Sequence, residues 1–127
     1  MATAAFLVLC GWTAWSQSEK SVWDGIYTQG QAARGQKVFD GICAQCHAAT
    51  DFEGSSFLMN WENSTVYDLF RQVQRTMPME QPGSLSPQEY IDVISYVFSV
   101  NKFPTGDAEL DVDEAHLKLI RVEAKKK

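Results

Sequence analysis

The sequence is short of the residues that would mark most of the alternatives. Lys and Arg number 11 against 16 Asp and Glu, a formal net charge of −5. That balance argues against nucleic acid and against anionic membrane surfaces as partners. No apolar run reaches the roughly 20 residues needed to cross a bilayer, so no stable membrane insertion is expected. Internal repeats, low-complexity tracts and convincing strand patterns are absent. With 127 residues, there is room for one domain and a short leading segment. Cysteine is scarce, with three in the chain, and histidine scarcer, with two.

Residues 1–16 carry no charge at all and are apolar over 4–12. The run is too short for a membrane span, and Ala14 and Ser16 offer small side chains of the kind a signal peptidase favours. The expectation is a signal peptide and an exported protein, although the segment lacks the basic residue such peptides carry at their start. Cys10 lies inside it. Removing the segment leaves two cysteines, both within Cys43-Ala44-Gln45-Cys46-His47. Exported chains usually spend cysteines on distant pairs. Here they stand three apart with a histidine next.

Three principal helices are expected. Over 28–42, Ala32, Gly35, Val38, Phe39 and Ile42 recur at steps of three and four. Gly35 costs about 1 kcal/mol of helix propensity relative to Ala, which suggests a close crossing by another element. Residues 48–63 show no period and read as loop. A second helix starts after Thr65, which can cap, with Asp68 near the positive helix end and Val66, Leu69, Phe70 and Val73 as its apolar stripe. It stops near Thr76, because Pro78 pushes Met77 into extended backbone. Residues 77–85 form a proline- and glycine-bearing loop. Ser86-Pro87-Gln88-Glu89 is a capping box with proline at the first helical position. The helix behind it, apolar on nearly every side from Tyr90 to Val100 and ended by Asn101 and Pro104, should be buried. A short helical pattern over 114–120 follows, then a basic tail. The domain is expected over 22–105, with 106–127 as a C-terminal extension.

The Cys-x-x-Cys-His spacing has a mechanical reading. Two thiols three residues apart at a helix end can form thioethers with the two vinyl groups of a haem, and the next histidine then lies beneath the iron. A zinc site would need further ligands, and only His116 remains, far along the chain. A thioredoxin-like pair needs a preceding strand, where a helix is expected. A structural disulfide of this span would be strained and would gain little from so short a loop. One covalent haem c, on Cys43 and Cys46 with His47 as an iron ligand, is therefore the expected cofactor. For the sixth position, Met77 sits where a helix meets a proline-bearing loop. Met79 is the substitute, Met59 is more distant, and His116 would give bis-histidine ligation.

With those residues in place, the sequence resembles the class I c-type cytochromes over most of 25–105. Gly35 and Phe39 stand eight and four residues before Cys43, as in that family's first helix, and Tyr96 matches the aromatic of its last helix. Thr76-Met77-Pro78 followed by Pro82-Gly83-Ser84-Leu85-Ser86 is similar to the axial-methionine loop of bacterial members. Val22-Trp23-Asp24-Gly25-Ile26-Tyr27 looks like the lead-in of small periplasmic cytochromes and of domains that accompany quinoprotein dehydrogenases. The resemblance implies an all-α cytochrome c fold around one haem. Many members also place a proline carbonyl against the ligand histidine's Nδ1–H, and residues 48–76 contain no proline. The acceptor for His47 is thus unassigned.

Trp61 is a candidate haem-propionate donor through its indole N–H, and Arg75 a second through its guanidinium. Met77 and His47 are the expected metal ligands. Phe57, Leu58, Leu69, Phe70, Val73 and Ile94 are expected around the cofactor. With both axial positions filled by protein, the chain is expected to be an electron carrier rather than an enzyme, working in the bacterial periplasm. The resemblance implies redox protein partners, a quinoprotein dehydrogenase as donor and an oxidase as acceptor. Two alternatives are a haem gas sensor or peroxidase with a displaceable methionine, and a haem subunit of a larger dehydrogenase complex.

Overall fold

The computed structural model describes residues 18–125. The signal peptide expected over residues 1–16 lies outside them. The order is β1 (Lys20–Ser21), α1 (Gln29–Gly41), a 3-10 turn (Cys43–Gln45), a second 3-10 turn (Ala49–Phe52), α2 (Ser55–Trp61), α3 (Val66–Thr76), α4 (Pro87–Val100), α5 (Glu114–Lys118) and β2 (Ile120–Arg121). The protein is all-α in class, and β1 and β2 contribute two residues each.

The three principal helices begin where local chemistry starts them. Thr28 caps α1 by accepting from the Gln31 N–H, Thr65 caps α3 through the Asp68 N–H, and Ser86 caps α4 through the Glu89 N–H. In the last two, the third residue's carboxylate accepts in return from the cap N–H, at 2.8 Å in each case. These caps satisfy donors that a helix start otherwise leaves without partners.

Helices α1 and α4 cross at Gly35. A Cβ built there would lie 1.8 Å from the Asp92 carbonyl oxygen and 2.9 Å from the Val93 nitrogen. Only a residue without a side chain permits this backbone approach. One turn further along α1, the Phe39 ring packs on Tyr96 of α4 at 5.3 Å between centroids. Asp92 is 4% exposed at the crossing and takes a two-pronged contact from Arg34 at 3.0 and 3.2 Å. Beyond it, Tyr27, Phe57, Phe98 and Phe103 meet edge-on or tilted, with centroids 5.7 to 6.4 Å apart.

Two regions differ from the sequence expectation. Residues 48–63, read as loop, contain a 3-10 turn and the seven-residue α2. Helix α2 has no capping side chain and buries Phe57 alone, so it is too short to show a period. Residues after Gly106 fold back into the core: Leu110, Leu117, Ile120 and Val122 are at most 1% exposed. β2 runs parallel to β1, with Lys20 opposite Ile120 and Ser21 opposite Arg121. Val122 also exchanges backbone hydrogen bonds with Asn63 and Ser64 at 2.9 Å each. Gln31, fully buried on α1, both donates to and accepts from the Leu110 backbone at 2.8 Å. The segment thereby joins the lead-in, the α2–α3 connection and α1.

Candidate functional site

Helix α1 ends at Gly41, and the chain turns at once. The N–H groups of both Cys46 and His47 donate to the Cys43 carbonyl, at 3.1 and 3.0 Å. That single carbonyl closes the backbone of Cys43, Cys46 and His47 into one tight turn. The cysteines are unbridged: Cys43 is half-buried and Cys46 exposed. Burial pushes the Cys43 thiol above its ordinary range, because a thiolate loses more solvation than a thiol.

The His47 ring packs on Phe52 at 5.2 Å between centroids, and Phe52 in turn meets Phe39 edge-on at 6.2 Å. No hydrogen bond to the His47 ring occurs among the described residues. Phe52 is fixed by Asn101, the residue that ends α4. The Asn101 carboxamide donates to the Phe52 carbonyl at 2.7 Å and to the Val97 carbonyl at 2.9 Å. Its oxygen accepts from the Gly54 N–H at 2.9 Å.

Met77 is held from two sides. Its N–H donates to the Val73 carbonyl at 2.9 Å, closing α3, and its backbone is then extended at φ −126°, ψ 151°. Its own carbonyl accepts from the buried Tyr90 hydroxyl at 2.7 Å. Met77 is half-buried, whereas Met79 is 75% exposed and Met59 84%. His116 sits on α5 with its Nδ1 2.9 Å from Asp111.

Trp61 closes α2, half-buried against the core, and its indole N–H meets no acceptor among the described residues. Arg75 lies in the last turn of α3, exposed and without an ion pair among the described residues. Of the expected cofactor neighbours, Phe57, Leu69, Phe70 and Ile94 are buried in the core cluster, while Leu58 and Val73 are only partly covered. The sequence reading missed Tyr90, Asn101 and Phe52. Tyr90 and Asn101 were visible only as a core residue and a helix stop.

No group of three or more His, Cys, Asp or Glu side chains suited to a metal ion occurs among the described residues. No helix among them is long and apolar enough to cross a membrane. A family model described as cytochrome c oxidase, cbb3-type, subunit III matches residues 30–97, more than half of the chain.

The chain belongs to this family of c-type cytochromes.

The match spans all but the first residue of α1, the Cys43–His47 turn, α2, α3 and most of α4. A cytochrome c of Nigella damascena is 22% identical over 98 residues, covering 54% of this chain and 88% of that protein. No solved structure matches. Membership implies haem as the cofactor and haem-based electron transfer as the function. The residues present suit that group. Two free thiols and an imidazole share one turn, and apolar side chains such as Leu58, Val73, Leu85 and Val97 are left partly covered.

Proposed function

We propose that the chain is a one-electron carrier of the bacterial periplasm with a single covalent haem c. Cys43 and Cys46 would hold it by thioether bonds, with His47 and Met77 as axial ligands. The observation that carries this reading is the turn at Cys43–Gln45, where one carbonyl accepts from the backbone N–H groups of both Cys46 and His47. When bound, the haem supplies a reversible ferrous–ferric couple. His/Met ligation would set its potential above that of a bis-histidine site. The pinned backbone of Met77, against the exposure of Met79 and Met59, supports Met77 as the sixth ligand. The engagement of His116 with Asp111 disfavours a second histidine. Trp61, with its indole N–H unpaired among the described residues, would donate to a propionate.

Redox proteins are the partners this reading calls for. Resemblance supports a quinoprotein dehydrogenase on the donating side, and an oxidase on the accepting side agrees with the oxidase subunit in the family description. The net charge of −5 speaks against nucleic acid.

The test is the visible spectrum of protein made with haem-attachment machinery. Haem should survive acid–acetone extraction, and the ferric form should show the red charge-transfer band of thioether ligation. Met77→Ala should abolish that band and Met79→Ala should leave it. The reverse pattern refutes the ligand assignment. Ready carbon monoxide binding by the ferrous protein refutes the simple carrier.

A further inference from the structure

Both segments that matter to the cofactor are tied to one rod. Tyr90 stands in the first turn of α4, is 1% exposed, and donates its hydroxyl to the Met77 carbonyl at 2.7 Å. The same hydroxyl accepts from the Leu85 N–H at 3.4 Å, so it closes the loop of residues 77–85 across its base. Asn101 caps the opposite end of α4 and binds the Phe52 carbonyl and the Gly54 N–H, at 2.7 and 2.9 Å. Phe52 then packs on the His47 ring at 5.2 Å. Between the two anchors, Ile91, Asp92, Val93, Ile94, Ser95 and Phe98 are buried. The rod is also locked to α1, where Gly35 lies against the Asp92 carbonyl. Asn101 follows Tyr90 by eleven steps along the chain, about 16 Å of helix at 1.5 Å per residue.

We propose that α4 is a splint that fixes the separation of the His47 and Met77 segments, with Asn101 and Tyr90 as the positioning residues at its ends. The inference rests on His47 and Met77 being the axial ligands. Apart from these ties, Met77 is held by its N–H to the Val73 carbonyl at 2.9 Å and His47 by its N–H to the Cys43 carbonyl at 3.0 Å. Residues 79–84 are exposed, as are Thr50, Asp51, Glu53 and Gly54 on the other side. A hydrogen bond at each end of a buried helix converts two surface loops into fixed supports. The two ends are chemically independent, and each should be separately removable.

The experiment compares the holoprotein with Tyr90→Phe, Asn101→Ala and Asn101→Asp variants. Ring-current-shifted proton resonances of the ferrous form report the Met77 methyl and the His47 ring separately. Added imidazole, competing for the sixth position of the ferric form, reports how firmly the methionine is held. Tyr90→Phe keeps the ring packing. It should shift the Met77 methyl, leave the His47 ring protons in place, and raise the apparent imidazole affinity about fivefold, the equivalent of one net hydrogen bond of ~1 kcal/mol. Asn101→Ala should shift the His47 ring protons, leave the Met77 methyl in place, and speed Gly54 amide exchange about fivefold or more. Asn101→Asp keeps an acceptor for Gly54 and loses the amide donor to Phe52. It should move the His47 ring protons without the full gain in exchange, and it serves if the alanine variant fails to fold. Variants that leave both sets of resonances unmoved overturn the splint, as do variants that move both sets together in step with a fall in melting temperature. A wild-type spectrum with no shifted methionine methyl overturns the ligand reading itself, and the splint with it.

Discussion

Replacing Gly35 with alanine sets two known effects against each other, and the structure says which wins. Helix propensity alone favours alanine by about 1 kcal/mol. The new Cβ, however, would stand 1.8 Å from the Asp92 carbonyl oxygen and 2.3 Å from its carbon. Ordinary carbon contacts are nearer 3.5 Å, so the two helix axes would have to part by roughly 1 to 2 Å. The obstacle is backbone in mid-helix, which cannot rotate away as a side chain can. Separation would also pull Arg34 from the buried Asp92 carboxylate and Phe39 from Tyr96. Overpacking of this kind costs about 1–3 kcal/mol, and the loosened pair of contacts adds to it. Taking about 1 kcal/mol for the loosened contacts and subtracting the propensity gain of about 1 kcal/mol, the expected net effect is a destabilisation of about 1–3 kcal/mol. Gly41 supplies the internal control, since it closes the same helix and a Cβ there meets nothing within 4 Å. Gly41→Ala should be neutral or slightly stabilising. Denaturant midpoints of the ferric holoproteins, measured side by side, decide the matter. A Gly35→Ala protein as stable as wild type, or more so, would refute the claim that close backbone contact is why glycine stands there.

Thr65→Ala should cost about 1 kcal/mol by removing the acceptor for the Asp68 N–H, readable as a lowered midpoint. The Thr65 N–H and hydroxyl hold the Asp68 carboxyl below its ordinary range, and Ser86 does the same for Glu89. Their contribution is therefore complete above the ordinary carboxylate pKa and is lost as pH falls through the depressed folded values. Melting temperature should be level near neutrality and drop in strong acid, with a shallower drop in Asp68→Asn; an unchanged acid slope in that variant contradicts the assignment. Gln31→Met keeps the volume but strands the buried Leu110 N–H and carbonyl, at about 2–4 kcal/mol for two unsatisfied groups. The Leu110 amide should then exchange with solvent much faster, and a protected amide would show that the pairing is dispensable. Ending the chain at Glu109 removes four buried apolar residues worth about 1.5–3 kcal/mol each, a sum comparable with a small domain's whole stability of about 5–15 kcal/mol. Such a truncation should fail to give a cooperative thermal transition, and a sharp transition near the wild-type temperature would refute the structural role of the segment.

What could be read from the sequence was whatever short stretches of chain decide for themselves. The starts of α3 and α4 follow from Thr65 and Ser86 bonding three residues onward, and the end of α3 from Pro78 acting on its neighbour. The thiols and imidazole are equally local, since the turn that gathers them is complete within Cys43 to His47. Helix α2 escaped notice because seven residues without a cap, burying Phe57 alone, leave no period to detect. The packing of Leu110, Leu117, Ile120 and Val122 is invisible for a different reason. Their partners lie dozens of residues earlier, and two-residue parallel strands show no alternation.

The same division explains why Asn101 could be read as a helix stop and no more. Its bonds to Phe52 and Gly54 span 49 and 47 residues, and exist only because α1 and α4 cross where they do. The crossing is set by Gly35, one turn before Phe39. Phe39 meets Tyr96 on one side and Phe52 on the other. A displacement at Gly35 would therefore be felt at His47 through Phe39 and Phe52, two rings in succession. Close packing transmits such shifts rather than absorbing them, because few voids exist to take them up. Gly35 and His47 lie twelve residues apart along one continuous stretch, yet their mechanical connection runs through side chains that α4 presses together. The motif names the chemistry, and the distant helix decides how rigidly it is held.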